Sequence, residues 1–220
     1  MLNRPMCVVL LTLLACTGAL AQEYSEAERL LFLNNHLQKL TKPVALRYRY
    51  SKQGNLEKSA QDTALVRIKS VGQKEGKVVQ VDFLSGERKI ELPATPDSTG
   101  NPILLNFLER DTREMKRLTG GSTNYFRKRI RIALMEKAQV APTTIDFEGK
   151  KVAAKTVSIK PYTDDMLRSR IGKFEQKTYS FTVSDQVPGE IYEMRSIVMD
   201  PAQKDQVLIE ETLRFSGVEK

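Results

Sequence analysis

Eight cations crowd the stretch from Glu109 to Arg131: Arg110, Arg113, Lys116, Arg117, Arg127, Lys128, Arg129 and Arg131, with Tyr125 and Phe126 among them. Guanidinium groups present planar, two-pronged donors that suit carboxylates and phosphates. The block therefore reads as an anion platform for phosphate-bearing lipid, lipopolysaccharide or an acidic protein surface. The competing reading is two solvated helix faces whose arginine stems cover apolar surface. Asp111 stands apart, because it falls within the stripe of Leu104, Phe107, Leu108, Met115 and Leu118. A carboxylate on an apolar face is costly unless paired. An ion pair with Arg127, Arg129 or Arg131 of the following helix is expected, pinning the two helices together.

Other chemistry is thin. His36 is the single histidine, so no histidine cluster can bind zinc. It sits beside Leu37 in an apolar helical stripe and reads as an ordinary surface or half-buried residue rather than a triad member. Both cysteines, Cys7 and Cys16, lie before Gln22, which leaves a cleaved chain without a thiol nucleophile or a disulfide. Gly120-Gly121-Ser122 lacks the lysine and spacing of a phosphate loop, and neither a G-x-S-x-G elbow nor a dinucleotide fingerprint occurs. Paired carboxylates need no fixed spacing, so hydrolysis by two acids stays open, although nothing marks such a pair. No catalytic residue, cofactor or metal is expected. Val187 is apolar for the tip of the turn Ser184–Gly189, which is either a plain hairpin turn or a docking tip.

The elements that hold these residues follow from periodicity. Ser25 and Glu28 form a capping box, and Leu30, Leu33, Leu37 and Leu40 then make one face of a helix over 26–41, ended by Pro43. The period next changes to two. Val44, Leu46, Tyr48 and Tyr50 alternate with Ala45, Arg47 and Arg49, and further strands fit 63–71, 77–84 and 87–92. Asn101-Pro102 starts a helix that Gly120-Gly121 ends, and Ser122 caps another whose face is Phe126, Ile130, Ala133 and Leu134; together they span 102–138. Strands return at 143–147 and 151–159, a short helix capped by Thr163 fits 161–175, and alternating strands fill 177–184, 190–199 and 206–215. The expected fold is α+β: a curved, half-barrel-like antiparallel sheet of about nine strands, with the N-terminal helix and the central helical hairpin on one face.

Residues 1–21 read as a secretory signal peptide: a short positive head, the apolar run Cys7–Ala15 and the A-x-A site Ala19-Leu20-Ala21. Leu13-Leu14-Ala15-Cys16 competes as a lipobox in which Cys16 is acylated. The two readings exclude each other. Residues 22–220 then form one periplasmic α+β domain, large enough for an ordinary core and without a transmembrane segment. The net charge of +8 falls to about +7 without Arg4, and an exported basic protein meets anionic lipid or polymer before nucleic acid.

This order of signal peptide, amphipathic helix, long antiparallel sheet and inserted helices resembles the periplasmic lipoprotein-localisation carrier and receptor superfamily. The resemblance implies a half-barrel whose concave face, lidded by helices, takes up acyl chains. The leading expectation is a non-enzymatic envelope protein that binds an amphipathic ligand, lipid or lipoprotein, in envelope biogenesis. Tyr48, Tyr50, Phe107, Phe126 and Phe181 are the candidate liners, and Arg127, Arg129 and Arg131 the partners of a head group. The alternatives are a module that docks on an envelope protein complex, favoured by a filled sheet interior, and a carboxylate hydrolase of an anionic polymer. The oligomeric state is left open.

Overall fold

The computed structural model describes residues 24–72, 77–91, 93–203 and 205–219; the leader and Cys16 lie outside them. Among these residues nine strands form one antiparallel sheet: β1 (Val44–Gln53), β2 (Ala60–Val71), β3 (Lys77–Phe83), β4 (Ile90–Glu91), β5 (Gln139–Phe147), β6 (Lys150–Ile159), β7 (Thr178–Val183), β8 (Ile191–Met199) and β9 (Val207–Glu219). Their spatial order is β4-β3-β2-β1-β9-β8-β7-β6-β5. Two meanders are thus joined where β9 returns beside β1, and β4 and β5 are left as edges of an open, curved sheet. Register shifts at Arg47/Tyr48, Ile68/Ser70, Thr182/Val183 and Val198/Met199 supply local twist.

The topology places the helices. The chain leaves the sheet at the β4 edge and re-enters at the β5 edge, and α2 (Ile103–Thr119) and α3 (Thr123–Glu136) lie in that connection. They must therefore cross a face of the sheet. Gly120, left-handed at φ 75°, closes α2, and the Ser122 hydroxyl accepts from the Tyr125 amide to start α3. Alternation decides which face they cover. Leu46, Tyr48 and Tyr50 of β1 and Tyr179, Phe181 and Val183 of β7 are buried beneath Leu104, Phe107, Met115, Phe126 and Ile130. The other face is polar and carries the cross-strand pairs Arg67–Asp82, Arg195–Glu210 and Arg214–Glu193.

Three local expectations are corrected, and one open alternative is decided. The capping box at Ser25 forms, but α1 spans only Glu26–Glu28 and passes into a π-helical turn, Arg29–Leu33. The wider turn rotates the stripe, so that Leu31 is buried while Leu33 is half exposed. Asn34 is then extended and breaks the helix that was expected to reach residue 41. The strand expected over 87–92 shrinks to β4, because Leu84 (φ 62°) and Gly86 (φ 54°) turn the chain into a 3₁₀ segment, Gly86–Arg88. The helix expected over 161–175 is the four-residue α4 (Arg168–Ile171) followed by a 3₁₀ turn, and the Thr163 hydroxyl donates to Lys160 O instead of capping it. Val187 is buried, so the 184–189 segment is a hairpin turn and not a docking tip. Gly189 is required there: its φ is 75°, and a Cβ would meet Leu46 Cδ1 at 2.5 Å.

Candidate functional site

On the outer side of the helices lies an open apolar groove of about 620 Å³. Three elements build it. The N-terminal segment contributes Tyr24, Glu28, Phe32 and Leu33; α2 contributes Leu105, Leu108, Glu109, Thr112 and Arg113; and α3 contributes Arg127, Ile130, Arg131 and Leu134. Helical spacing explains the division of α2: Leu104, Phe107 and Asp111 turn to the sheet, and Leu105, Leu108 and Thr112 lie one position on. Leu105 is 58% exposed and Leu33 51%, large apolar side chains of the same groove left open to solvent.

Arginines form the rim. Glu109 holds Arg127 through both Nη2 (2.8 Å) and Nε (3.0 Å) and holds Arg113 through Nε (3.0 Å), so this pair ties α2 to α3. Burial alone would raise the Glu109 pKa, but the hydrogen bonds from Arg127 and Arg113 outweigh it and keep the carboxyl below its ordinary value. Arg131 is exposed on the same rim, and no ion pair engages it among the described residues.

His36 anchors the N-terminal wall. It is buried, contrary to the surface or half-buried reading, and both ring nitrogens are engaged. Nδ1 accepts from the Asn101 amide (3.1 Å), which leaves Nε2–H to donate to Leu30 O (2.8 Å). Asn101 in turn donates to Tyr48 Oη and Gly189 O.

The sequence-derived site residues divide. Arg127 and Arg131 meet on the groove rim, whereas Arg129 pairs with Asp165 at 2.6 Å and donates to Pro161 O. Tyr125 donates to that same carboxylate, and burial with this bond pushes its phenol up to about 12. Tyr48, Tyr50, Phe107, Phe126 and Phe181 do not line the groove; all five are in the core, at most 1% exposed. Hydroxyls of two of them have internal partners: Tyr48 accepts from Asn101, and Tyr50 accepts from Arg110 and donates to Glu211. The sheet interior is therefore filled.

Asp111 is paired, but towards the sheet and not with α3. Its Oδ1 accepts from Lys177 Nζ (2.5 Å) and Ser196 Oγ (3.2 Å), and its Oδ2 from Tyr179 (2.5 Å). Arg110 makes a second internal pair with Glu211 at 2.7 Å and stacks its guanidinium 5.2 Å from the Tyr50 ring. Sequence reasoning missed Lys177 and Glu211, although period two gives them away. Lys177 is in phase with Tyr179, Phe181 and Val183, and Glu211 with Ile209, Leu213 and Phe215. Among the described residues no histidine, cysteine and acid cluster could hold a metal, and no helix is long and apolar enough to cross a membrane.

No protein-family model matches the chain, and no curated protein matches it by sequence. Among solved structures it is similar to the Mycobacterium tuberculosis lipoprotein LppX, with 10% identity over 87% of this chain and 95% of that one, TM-score 0.37. It is also similar to a LolA superfamily protein from Nitrosomonas europaea, with 10% identity over 88% and 92%, TM-score 0.24. A third is the Pseudomonas aeruginosa MucA/MucB complex, with 15% identity over 89% and 57%, TM-score 0.30.

Proposed function

We propose that this chain is an exported, non-enzymatic envelope protein, one domain over 22–220, that binds an anionic amphiphile in the groove between its N-terminal segment and its helical hairpin. The observation that carries the reading is an open apolar groove with arginines on its rim. Its volume suits one small ligand or one acyl chain. Magnitudes argue for both halves of the ligand. Burying about ten methylenes contributes roughly 8 kcal/mol, and association costs at least about 4. A tail alone therefore binds weakly, and charge-assisted contacts of about 1.5–3 kcal/mol each bring the affinity towards micromolar.

The site has moved relative to the expectation. The amphiphile lies outside the sheet, with Arg127 and Arg131 at its head group and Leu33, Leu105 and Leu108 along its tail. The leader supports export; simple cleavage suits a diffusing binder, and acylation of Cys16 a tethered one. The filled sheet interior favours a second reading, a module that docks on an envelope protein complex. Native mass spectrometry of the protein taken from its own envelope separates the two. A co-purifying anionic amphiphile, lost in Leu105→Asp, supports the first reading; an empty chain with a stoichiometric protein partner supports the second.

A further inference from the structure

A second concavity, of about 590 Å³, runs along the other edge of α2, and Arg113 lines both it and the groove. Four stretches of chain converge on it: Lys52 at the end of β1, Lys58 after it, Arg88 and Lys89 before β4, and Arg110, Arg113 and Arg117 of α2. Seven of its twelve lining residues are cations, and two, Glu87 and Glu114, are acids. Within the lining Glu114 pairs with Arg117 (2.8 Å) and Arg110 (3.5 Å), and other carboxylates stand behind it: Glu57 for Lys52 and Arg117, Asp62 for Arg88, Glu211 for Arg110 and Glu109 for Arg113. Burial would raise the Glu57 carboxyl, but Lys52 and Arg117 hold it below its ordinary value, so this support is charged at neutral pH. Arg110 is 6% exposed, and its Nε–H is buried with no acceptor. Lys58 lines the concavity as an exposed side chain, with no ion pair among the described residues.

Cations converging from separate elements, fixed by Glu114 within the lining and by carboxylates behind it, suit an anion with several oxygens pointing in different directions. A carboxylate offers two oxygens in one plane, and a phosphate offers at least three around a centre. We propose that this concavity is a phosphate site. The phosphate is either that of a free compound or the head group of an amphiphile whose chain lies in the groove and whose head passes Arg113 into this concavity instead of stopping at Arg127 and Arg131. Only the second source rests on the function proposed above, and Arg113 is the lip the two sites share.

Calorimetric titration of the leader-free protein with inorganic pyrophosphate, dodecanoate and dodecyl phosphate tests this. Pyrophosphate is expected to bind wild type and Leu105→Asp alike, and Lys58→Glu at least tenfold more weakly. Dodecyl phosphate bound tenfold more tightly than either simpler probe, and weakened by both variants, identifies a head group. Equal binding of dodecyl phosphate and pyrophosphate identifies a free phosphate compound. Pyrophosphate that fails to bind wild type, or binds Lys58→Glu equally well, overturns the phosphate site even if dodecanoate binds. Dodecanoate that fails to bind while pyrophosphate still discriminates Lys58→Glu overturns the groove reading alone.

Discussion

On the sheet side of α2, Asp111 meets Lys177 with side chains 1% and 5% exposed; on its outer side, Glu109 meets Arg127 with 21% and 47%. Two ion pairs on one helix thus sit in different solvents. The inner pair is dry, shares its carboxylate with Tyr179 and Ser196, and lies under a layer of core aromatics. The outer pair borders an open groove and is screened by water. The inner pair is a structural element that a ligand cannot reach. On the function proposed above, the outer one exchanges its carboxylate for a ligand anion.

The comparison breaks most visibly at the inner pair. Asp111→Ala leaves Lys177 buried without a counter-charge, which costs about 3–5 kcal/mol. For a chain of this size that lowers Tm by roughly 10 °C. The double variant Asp111→Leu/Lys177→Met should recover most of the loss, since the isolated buried charge is gone. A single variant as stable as wild type in thermal melts would mean that water reaches this site.

His36 comes next, because it joins the core to the groove wall. His36→Phe leaves the Asn101 amide without its acceptor and Leu30 O without its donor, a loss of about 1–3 kcal/mol. Hydrogen exchange should quicken over residues 24–33 and leave the sheet unchanged. Uniform quickening would show instead that this histidine holds the whole fold.

At Leu105 the expected signs diverge. Leu105→Asp should stay within about 0.5 kcal/mol of wild type in stability, as an exposed position does. Amphiphile binding should fall at least tenfold, about 1.4 kcal/mol, read by displacement of a fluorescent fatty acid. A loss of stability of the same size as the loss of binding would place Leu105 with the core residues.

Legibility in the sequence follows the same boundary. Strands β1, β7, β8 and β9 and the helical hairpin were readable, because each repeats its apolar period over a full element between firm stops such as Gly120 and Pro43. Helix 26–41 was not. Leucine spacing alone does not reveal a π-turn or the break at Asn34. Arg127 and Arg131 lie on the groove rim as exposed cations, whereas Arg110 and Lys177 are buried against carboxylates, and residue type alone does not tell the two cases apart. Tyr48, Tyr50, Phe107, Phe126 and Phe181 were misplaced as liners because an aromatic facing a cavity and one filling a core show the same periodicity. Only tertiary packing separates the two. The partner of Asp111 was legible in Lys177, the first residue of the expected strand 177–184 and a cation in phase with its buried stripe of Tyr179, Phe181 and Val183.

The smallest effect lies at Glu109 and tests whether the outer pair really exchanges. Its folded pKa is depressed, so it adds stability above its ordinary value of 4.5 and loses that contribution as pH falls through the folded pKa. Glu109→Gln should therefore flatten the acid limb of a urea-unfolding series between pH 6 and 3. At neutral pH the same change releases Arg113 and Arg127 from their carboxylate, and binding of an alkyl sulfonate, which stays ionised throughout, should tighten a few-fold. Wild type should approach the variant's affinity as Glu109 protonates. Weaker binding by Glu109→Gln at pH 7 would reverse the assignment: the carboxylate would then hold the arginines in their binding pose, as the buried acids do for Arg110, instead of competing for them.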